Sequence, residues 1–209
     1  MSASPALFPI FVKLAGRRCL VVGGGTVAES KVESLLASGA SVTVVSPTLT
    51  AKLQRQHRNE SLIWIPRYFD PTDLDGTFLV IAATSNDSLN ELVFREAEHR
   101  VILCNAVDQP QRCHFYFPAV VKRGPLQIAI STNGLSPSLA ARLRAEFERE
   151  FGPEYEEWLL WLGTVRESLM RRKLSFSTRK RLLAYLARRE SFERWRAARQ
   201  PKPELQEVA

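Results

Sequence analysis

The sequence predicts an α/β fold in which a doubly wound parallel sheet precedes a small β-rich region and a helical C-terminal part. Three observations predict it. Short β-branched-rich runs alternate with amphipathic segments over the first half of the chain, and those runs are apolar throughout. After about residue 113 the pattern changes to two strand-like runs and then to continuous helix. We therefore expect domains at 1–112, 113–150 and 151–209.

Five apolar runs are expected to form the parallel sheet, because each is short and is bounded by helix or turn signals. They are CLVV (19–22), SVTVVSP (41–47), LIWIP (62–66), TFLVIAAT (77–84) and VILCNAV (101–107). Three segments between them are expected to be helices, at 27–38, around 49–57, and at 87–100 with Asp87 or Ser88 near its start. In the first helix the apolar positions are Val27, Val32, Leu35 and Leu36.

The second half predicts a hairpin followed by helices. Two β-like runs flank KRGP, a turn signal, within residues 114–132. Ser136 as N-cap and Pro137 as first residue open a helix that Gly152 closes. Residues 153–200 are expected to be helical, with breaks near Gly163 and at 175–177, before a frayed tail.

Composition excludes several classes of protein. The chain has 209 residues, of which 45% are hydrophobic and 24% charged, as in a globular domain. No apolar run approaches the ~18 residues of a membrane span, and the N-terminus lacks the basic start of a signal peptide. The three scattered cysteines do not suggest a disulfide framework, and Cys113-His114 has no second pair to complete a metal site. We expect a reducing compartment, the cytoplasm, and no bound metal.

The positive charge is concentrated near the C-terminus. Of the net +7, residues 1–150 carry 16 Lys/Arg against 14 Asp/Glu, and residues 151–209 carry 13 against 8. Nucleic acid, an anionic membrane surface and a small polyanionic ligand are all partners that such a region fits.

A glycine-rich turn predicts a Rossmann domain that binds a dinucleotide. Gly23, Gly25 and Ala28 match G-x-G-x-x-G/A directly after a strand and at the start of a helix. Such glycines let the backbone approach a pyrophosphate, and the helix N-terminus attracts the anion. The alternative is a tight turn with a purely structural role. The residues expected to bind the cofactor are Gly23, Gly24, Gly25, Thr26, Val27, Ala28, Ser46, Pro47, Thr48, Thr84 and Asn105.

The end of the second strand bears on which dinucleotide is bound. An Asp or Glu usually binds the ribose hydroxyls of NAD at this place, whereas here Ser46-Pro47-Thr48 stands. Serine or threonine can bind a ribose hydroxyl less strongly, and no arginine is present for a 2′-phosphate. We therefore expect NAD rather than NADP.

Several motifs occur together in one order along the chain. They are FPIFVKLAGRRCLVVGGGTVAESK, AATSNDSLN, CNAVDQPQRCHFYFPAVVKRGPLQIAISTNGLSPSLAARLR and a basic helical C-terminus. In this the sequence closely resembles the precorrin-2 dehydrogenase family, the siroheme-synthase module that oxidises precorrin-2 to sirohydrochlorin. The third motif is the specific one, because plain Rossmann domains do not continue with it.

The resemblance implies a subunit with an NAD-binding domain, a small β-rich dimerisation region and a helical C-terminal domain, and two subunits that intertwine as a homodimer. It implies precorrin-2 as substrate and Asp108 as the catalytic aspartate. Some family members also insert Fe²⁺ into sirohydrochlorin, which would make Fe²⁺ a second substrate. Departures from the family pattern are Ser30, where arginine is usual, and Ser85 and Asn86, where acidic residues are usual.

The implied substrate explains the basic surplus, because it is a tetrapyrrole with many carboxylates. Arginines such as Arg142, Arg166, Arg171 and Arg172 could pair with these groups, or could form a solvated helix face. The residues expected to bind substrate are Ser131, Thr132, Asn133, Gly134, Ser136, Arg142 and His114. The hydroxyl and N–H groups at 131–138 suit a carboxylate, although a plain helix cap is the alternative.

Two residues are candidates for proton transfer. Asp108 could act as general base or orient the pyrrole nitrogens, or could instead open the following turn. In chelation His114 is an alternative proton acceptor, or else a hairpin residue with an ordinary hydrogen bond.

Two other functions remain open from the residues alone. A non-catalytic NAD-sensing regulatory module would use the same glycine turn. A nucleic-acid binder would use the basic helical segment at 171–189. The resemblance favours the enzyme, with neither nucleic acid nor membrane as a partner.

Overall fold

The computed structural model describes residues 6–199. They form two compact units, the first ending at Phe117 and the second beginning at Pro118. The tail predicted from residue 200 onward lies outside the described residues. The three-domain division at 112/113 and 150/151 stays a prediction.

The first unit is a five-stranded parallel sheet with helices between the strands, which confirms the doubly wound α/β prediction. The strand order is β3-β2-β1-β4-β5, so the direction of winding changes between β1 and β4. The strands are β1 (Arg18–Val22), β2 (Ser41–Val45), β3 (Ile63–Ile65), β4 (Leu79–Ala82) and β5 (Leu103–Ala106). The helices are α1 (Thr26–Leu36), α2 (Ala51–Arg58) and α3 (Asp87–His99), with short 3₁₀ turns at Pro71–Leu74 and Pro110–Arg112.

Burial on both faces explains why the strands are apolar throughout. In β1, Val21 packs with α1 and α2, whereas Leu20 and Val22 point to the opposite face, on which α3 lies. A strand covered on both sides cannot carry polar residues at alternate positions without burying them.

One local prediction in this unit was wrong. Val27 was expected on the apolar face of α1, but it is 45% exposed, and the buried positions are Ala28, Val32 and Leu35. Helix α3 begins at Asp87, as expected, and its cap is Asn86, whose side chain accepts the Leu89 N–H. An Asn one residue earlier leaves Asp87 in the first helical turn, where its charge favours the helix N-terminus.

The second unit contains an antiparallel hairpin followed by helices, as predicted, and residues 118–199 hold four of these helices. The hairpin pairs β6 (Ala119–Arg123) with β7 (Leu126–Ile130). The helices are α4 (Pro137–Glu150), α5 (Glu154–Arg171), α6 (Phe176–Leu186) and α7 (Arg189–Ala197). Ser136 caps α4 by accepting the Leu139 N–H, which confirms the predicted cap.

The helix breaks were predicted only in part. A break was expected at 175–177, and the structure has one at 172–175, where Ser175 caps α6. Helix α5 continues through Gly163, however, and the break between α6 and α7 at Ala187–Arg188 was not predicted. An aromatic cluster explains both differences, because Trp158 of α5 packs against Phe192 and Trp195 of α7 and requires the chain to fold back. No helix within residues 6–199 has the length and apolar composition needed to span a membrane.

Candidate functional site

Two glycines of the turn after β1 are required by close packing. The Gly23 N–H donates to Val45 O at 3.0 Å, and Gly24 O accepts the Thr50 N–H at 3.0 Å. A Cβ on Gly23, where φ is +118°, would lie 2.3 Å from Ala83 O, and one on Gly24 would lie 2.1 Å from Thr48 O. The turn is therefore wedged between the ends of β2 and β4.

Gly25 differs from its two neighbours, because a Cβ there would have no protein atom within 4 Å. It is the N-cap of α1 and supplies no side-chain cap, so the first N–H groups of the helix, at Thr26 and Val27, face an exposed surface. Ala28 is fully buried and lets α1 pack closely. An uncapped helix N-terminus beside an open glycine fits the pyrophosphate of a dinucleotide.

The end of β2 lies beside this turn. Ser46 is buried, and its carbonyl accepts the Trp64 indole N–H at 2.9 Å. Pro47 and Thr48 are exposed. The residues at 46–48 thus present hydroxyl groups and no carboxylate where the ribose of a dinucleotide is expected.

A polar network fixes the turn after β4. The Thr84 hydroxyl lies 2.8 Å from Oδ1 of the buried Asn90, whose Nδ2 donates to Thr84 O at 3.1 Å. Asn86 donates its backbone N–H to the Thr84 hydroxyl at 3.2 Å. Asn90 was not predicted as a site residue. A polar amide residue at an apolar position of an amphipathic helix is nevertheless a signal that its side chain binds a neighbouring loop.

Asp108 lies directly beyond β5. Its backbone is left-handed, with φ +62°, and its side chain is exposed. The Gln109 N–H donates to Ala106 O at 3.2 Å, so Asp108 is the third residue of that turn. The following 3₁₀ turn is capped by Gln109 without a side-chain bond. Because all five strands are parallel, Asp108, Thr84 and the glycine turn share the carboxyl edge of the sheet.

Lys31 adds a positive charge near Asp108. It lies on α1 one turn after Ala28, half-buried, with Nζ 4.0 Å from the centre of the Phe117 ring. Burial lowers the pKa of Lys31, and the negative charge of Asp108 opposes this by raising it. Lys31 was not among the residues predicted for the site. Its spacing from the glycine turn, on the same helix, is the signal that could have found it.

The side chains of Asn105 and His114 are already engaged within the protein. Asn105 donates from Nδ2 to Phe115 O at 2.8 Å and to Cys113 Sγ at 3.3 Å, which leaves Oδ1 to accept a bond from a cofactor. His114 Nδ1 accepts the Cys104 N–H at 3.0 Å. Protonating this nitrogen would break that bond.

The residues expected to bind substrate, apart from His114, lie in the second unit on one loop and the helix that follows it. Thr132 and Ser136 exchange two bonds, because the Thr132 hydroxyl donates to Ser136 O at 3.1 Å and accepts the Ser136 N–H at 3.2 Å. Asn133 and Gly134 have positive φ, and the Asn133 N–H donates to the Ser131 hydroxyl. Arg142 is exposed and pairs with Glu146 at 2.7 Å.

The glycine turn at residues 23–25 and the start of α1 together form a glycine cradle at the switch point of the doubly wound sheet. This arrangement is typical of nucleotide-binding α/β proteins. Residues 10–119 match the family described as "Putative NAD(P)-binding", and residues 123–150 match the central region of sirohaem biosynthesis proteins. The first match covers more than half of the chain, which therefore belongs to this family of putative NAD(P)-binding proteins.

Similar proteins include two siroheme synthases. That of Methylobacillus flagellatus is 43% identical over 170 residues, or 81% of this chain and 36% of the relative. That of Photorhabdus laumondii is 42% identical over 172 residues, or 82% of this chain and 37% of the relative. The chain therefore spans little more than a third of these relatives.

A solved structure is similar over nearly its whole length. It is that of SirC, precorrin-2 dehydrogenase, which is 28% identical, with a TM-score of 0.78 over 90% of this chain and 92% of SirC. The likeness covers the nucleotide-binding sheet together with the hairpin and helices.

Proposed function

We propose that this chain catalyses the NAD-dependent dehydrogenation of precorrin-2 to sirohydrochlorin. The observation that carries the proposal is the placement of Asp108, an exposed carboxylate in a left-handed turn, at the same sheet edge as the open glycine cradle. Ligands of doubly wound sheets bind at this edge. The likeness to SirC, which is a precorrin-2 dehydrogenase, supports the substrate.

The cradle at Gly25 and the first N–H groups of α1 would hold the pyrophosphate of the cofactor, with Ser46 and Thr48 at its ribose. Thr84 and the side-chain oxygen Oδ1 of Asn105, near the ends of β4 and β5, would lie toward its nicotinamide end. When bound, NAD supplies the acceptor for the hydride that leaves the substrate.

Asp108 would accept the proton that the macrocycle loses together with the hydride, so that one hydride and one proton leave in total. Lys31 would place a positive charge near this carboxylate, since the negative charge of Asp108 acts on the pKa of Lys31. The hydroxyl and N–H groups of the 131–136 loop, with Arg142, would bind the carboxylates of the substrate.

Insertion of Fe²⁺ into sirohydrochlorin is proposed as a second activity of the same site. Chelation releases pyrrole protons, and a base must accept them. Asp108 is favoured for this step over His114, since the Nδ1 lone pair of the histidine is used by the Cys104 N–H.

A homodimer in the cytoplasm completes the proposal. The hairpin is a sheet of only two strands among the described residues, and Val120 on it is 40% exposed, so a second copy could extend it. The cysteines are free thiols, as a reducing compartment requires.

The proposal is tested by mixing the chain anaerobically with precorrin-2 and NAD and following the absorbance of sirohydrochlorin. Asp108→Asn is the informative variant, because asparagine tolerates φ +62° and removes only the base. We expect the rate to fall about 100-fold or more, with the Kd of NAD unchanged. Addition of Fe²⁺ afterwards tests chelation.

Asp75→Asn is the matched control, because Asp75 is an exposed carboxylate that precedes β4 and so lies at the opposite edge of the sheet. It should retain wild-type activity. Full activity in Asp108→Asn would remove the catalytic assignment. NAD binding without any oxidation by the wild type would favour the NAD-sensing module instead.

A further inference from the structure

We propose that Arg112 and Cys113 are positioning residues that hold the Asp108 turn against α3 in the orientation that proton transfer needs. The inference rests on the proposed function, and it adds two side chains that would not touch cofactor or substrate. It is carried by a set of contacts within the first unit.

The Asp108 turn needs support from outside itself. A left-handed backbone is unfavourable for most residues other than glycine, although Asn and Asp tolerate it better, and it persists where the surroundings hold it. The Asp108 side chain is exposed, and the backbone bond that closes the turn, from Gln109 N–H to Ala106 O, measures 3.2 Å. A carboxylate on such a turn can act in one direction only if other groups fix the backbone.

Cys113 supports the turn from behind. Its thiol Sγ lies 3.2 Å from Ala106 O and 3.2 Å from Gln109 O, the carbonyls on either side of Asp108. The thiol can donate to either oxygen, and it accepts a bond from Asn105 Nδ2 at 3.3 Å. Because Cys113 also forms an isolated antiparallel bridge with Asn105, its sulfur is anchored to β5.

Arg112 ties the same turn to the first turns of α3. Its Nη1 lies 2.8 Å from Gln109 Oε1 and 2.9 Å from Asp87 Oδ1, and its Nη2 lies 2.5 Å from Glu91 Oε2. Gln109 Nε2 donates to Asp87 as well. The guanidinium therefore bridges three acceptors, which the single ammonium group of a lysine would match less well.

The charges make the arrangement sensitive to loss of Arg112. Arg112 faces two carboxylates, Asp87 and Glu91, next to the turn that carries a third at Asp108. Without Arg112, Glu91 would keep its pair with Arg95, whereas Asp87 and Gln109 would each lose a bond to the guanidinium. The turn would then be free to move away from α3.

The first test measures catalysis. Arg112→Met should lower kcat for precorrin-2 oxidation about tenfold or more, because small displacements of a reacting group are costly, and should leave KM for NAD unchanged. Arg95→Met is the matched control. Arg95 pairs with Glu91 at 2.7 Å on the exposed side of α3, so it removes the same kind of bond without reaching the turn.

A double-mutant cycle separates positioning from general stability. In the Asp108→Asn background, Arg112→Met should cause no further loss of kcat, since both changes act through one carboxylate. Independent, multiplicative losses would overturn the proposal, as would an unchanged kcat in the single variant of an active enzyme.

The second test does not depend on the proposed function. Cys19 and Cys104 are buried, so the rate of modification by a thiol reagent reports on the half-buried Cys113. Arg112→Met should raise that rate about tenfold, Arg95→Met should leave it unchanged, and Cys113→Ala supplies the blank. If the wild type fails to oxidise precorrin-2, the proposed function fails, and the rate of Cys113 modification alone decides whether Arg112 holds the Asp108 turn. An unchanged rate would then overturn the proposal.

Discussion

At the scale of single residues, neighbouring glycines of the cradle are needed for different physical reasons. Gly23 is fixed by its left-handed backbone and by the Ala83 carbonyl, whereas Gly25 faces open space in a backbone conformation that any residue adopts. The fold therefore requires the first glycine. The ligand would require the second, because a methyl group there would occupy the side from which a pyrophosphate approaches.

Alanine substitutions at these two positions should consequently have different effects, the first mainly on stability and the second mainly on the binding of NAD. Gly23→Ala should lower the free energy of unfolding by about 2 kcal/mol or more, through backbone strain and overlap with Ala83 O. Gly25→Ala should lower it by only about 0.5–1 kcal/mol, the cost of a poorer N-cap, and should raise the Kd of NAD by about tenfold or more. Urea unfolding and titration with NAD measure the two quantities.

Either of two results would contradict these expectations. Gly25→Ala with wild-type affinity for NAD would mean that the cradle does not bind the pyrophosphate. Gly23→Ala with wild-type stability would mean that the turn is not wedged against Ala83.

Site residues in a local sequence motif could be predicted, whereas those that act through contacts between distant segments could not. The glycine turn follows from a local pattern, and Asp108 from a resemblance carried by a specific motif. Lys31, Asn90 and Arg112 did not emerge, because their roles depend on contacts between segments far apart in sequence. In the sequence, Lys31 cannot be distinguished from a solvated lysine on an amphipathic helix, because only the fold places it near Asp108.

At the scale of elements, strands were easier to predict than helix boundaries. The central strands β1 and β4 are buried on both faces, so their apolar runs are easy to recognise. Helix boundaries in the second unit depend on packing instead. The predicted break near Gly163 was wrong because the aromatic cluster around Trp158 outweighs the low helix propensity of one glycine.

Replacement of Gly163 should therefore stabilise the protein. The residue is exposed within α5, and a Cβ there would meet no atom within 4 Å. Gly163→Ala should raise the free energy of unfolding by about 1 kcal/mol, because alanine has the higher helix propensity and restricts the unfolded chain. Thermal unfolding followed by circular dichroism measures the change.

Gly124→Ala, in the hairpin turn, is the matched control. Its φ is +53° and a Cβ would lie 2.5 Å from Glu156 Cγ, so this variant should be less stable than the wild type. A loss of stability in Gly163→Ala would show that the helix is interrupted there after all, as the sequence first indicated.

At the scale of the whole molecule, buried thiols link stability to pH. Burial raises the pKa of Cys19, on β1, to about 11 and that of Cys104, on β5, to about 12, from an ordinary value of 9.0. The native chain thus keeps both protons at a pH where the unfolded chain releases them. The stabilisation is complete below pH 9 and is lost as pH rises toward 11 and 12.

The free energy of unfolding should fall more steeply above pH 9 in the wild type than in a Cys19→Ala/Cys104→Ala variant. The limiting difference in slope is about 1.4 kcal/mol per pH unit for each thiol that ionises only on unfolding. Urea unfolding at several values between pH 8 and 10.5 measures both curves. Lysine and tyrosine titrate in both proteins, so the difference isolates the thiols, and any constant cost of the two cavities cancels in the slope. Parallel curves would mean that these thiols ionise as readily in the native sheet as in the unfolded chain.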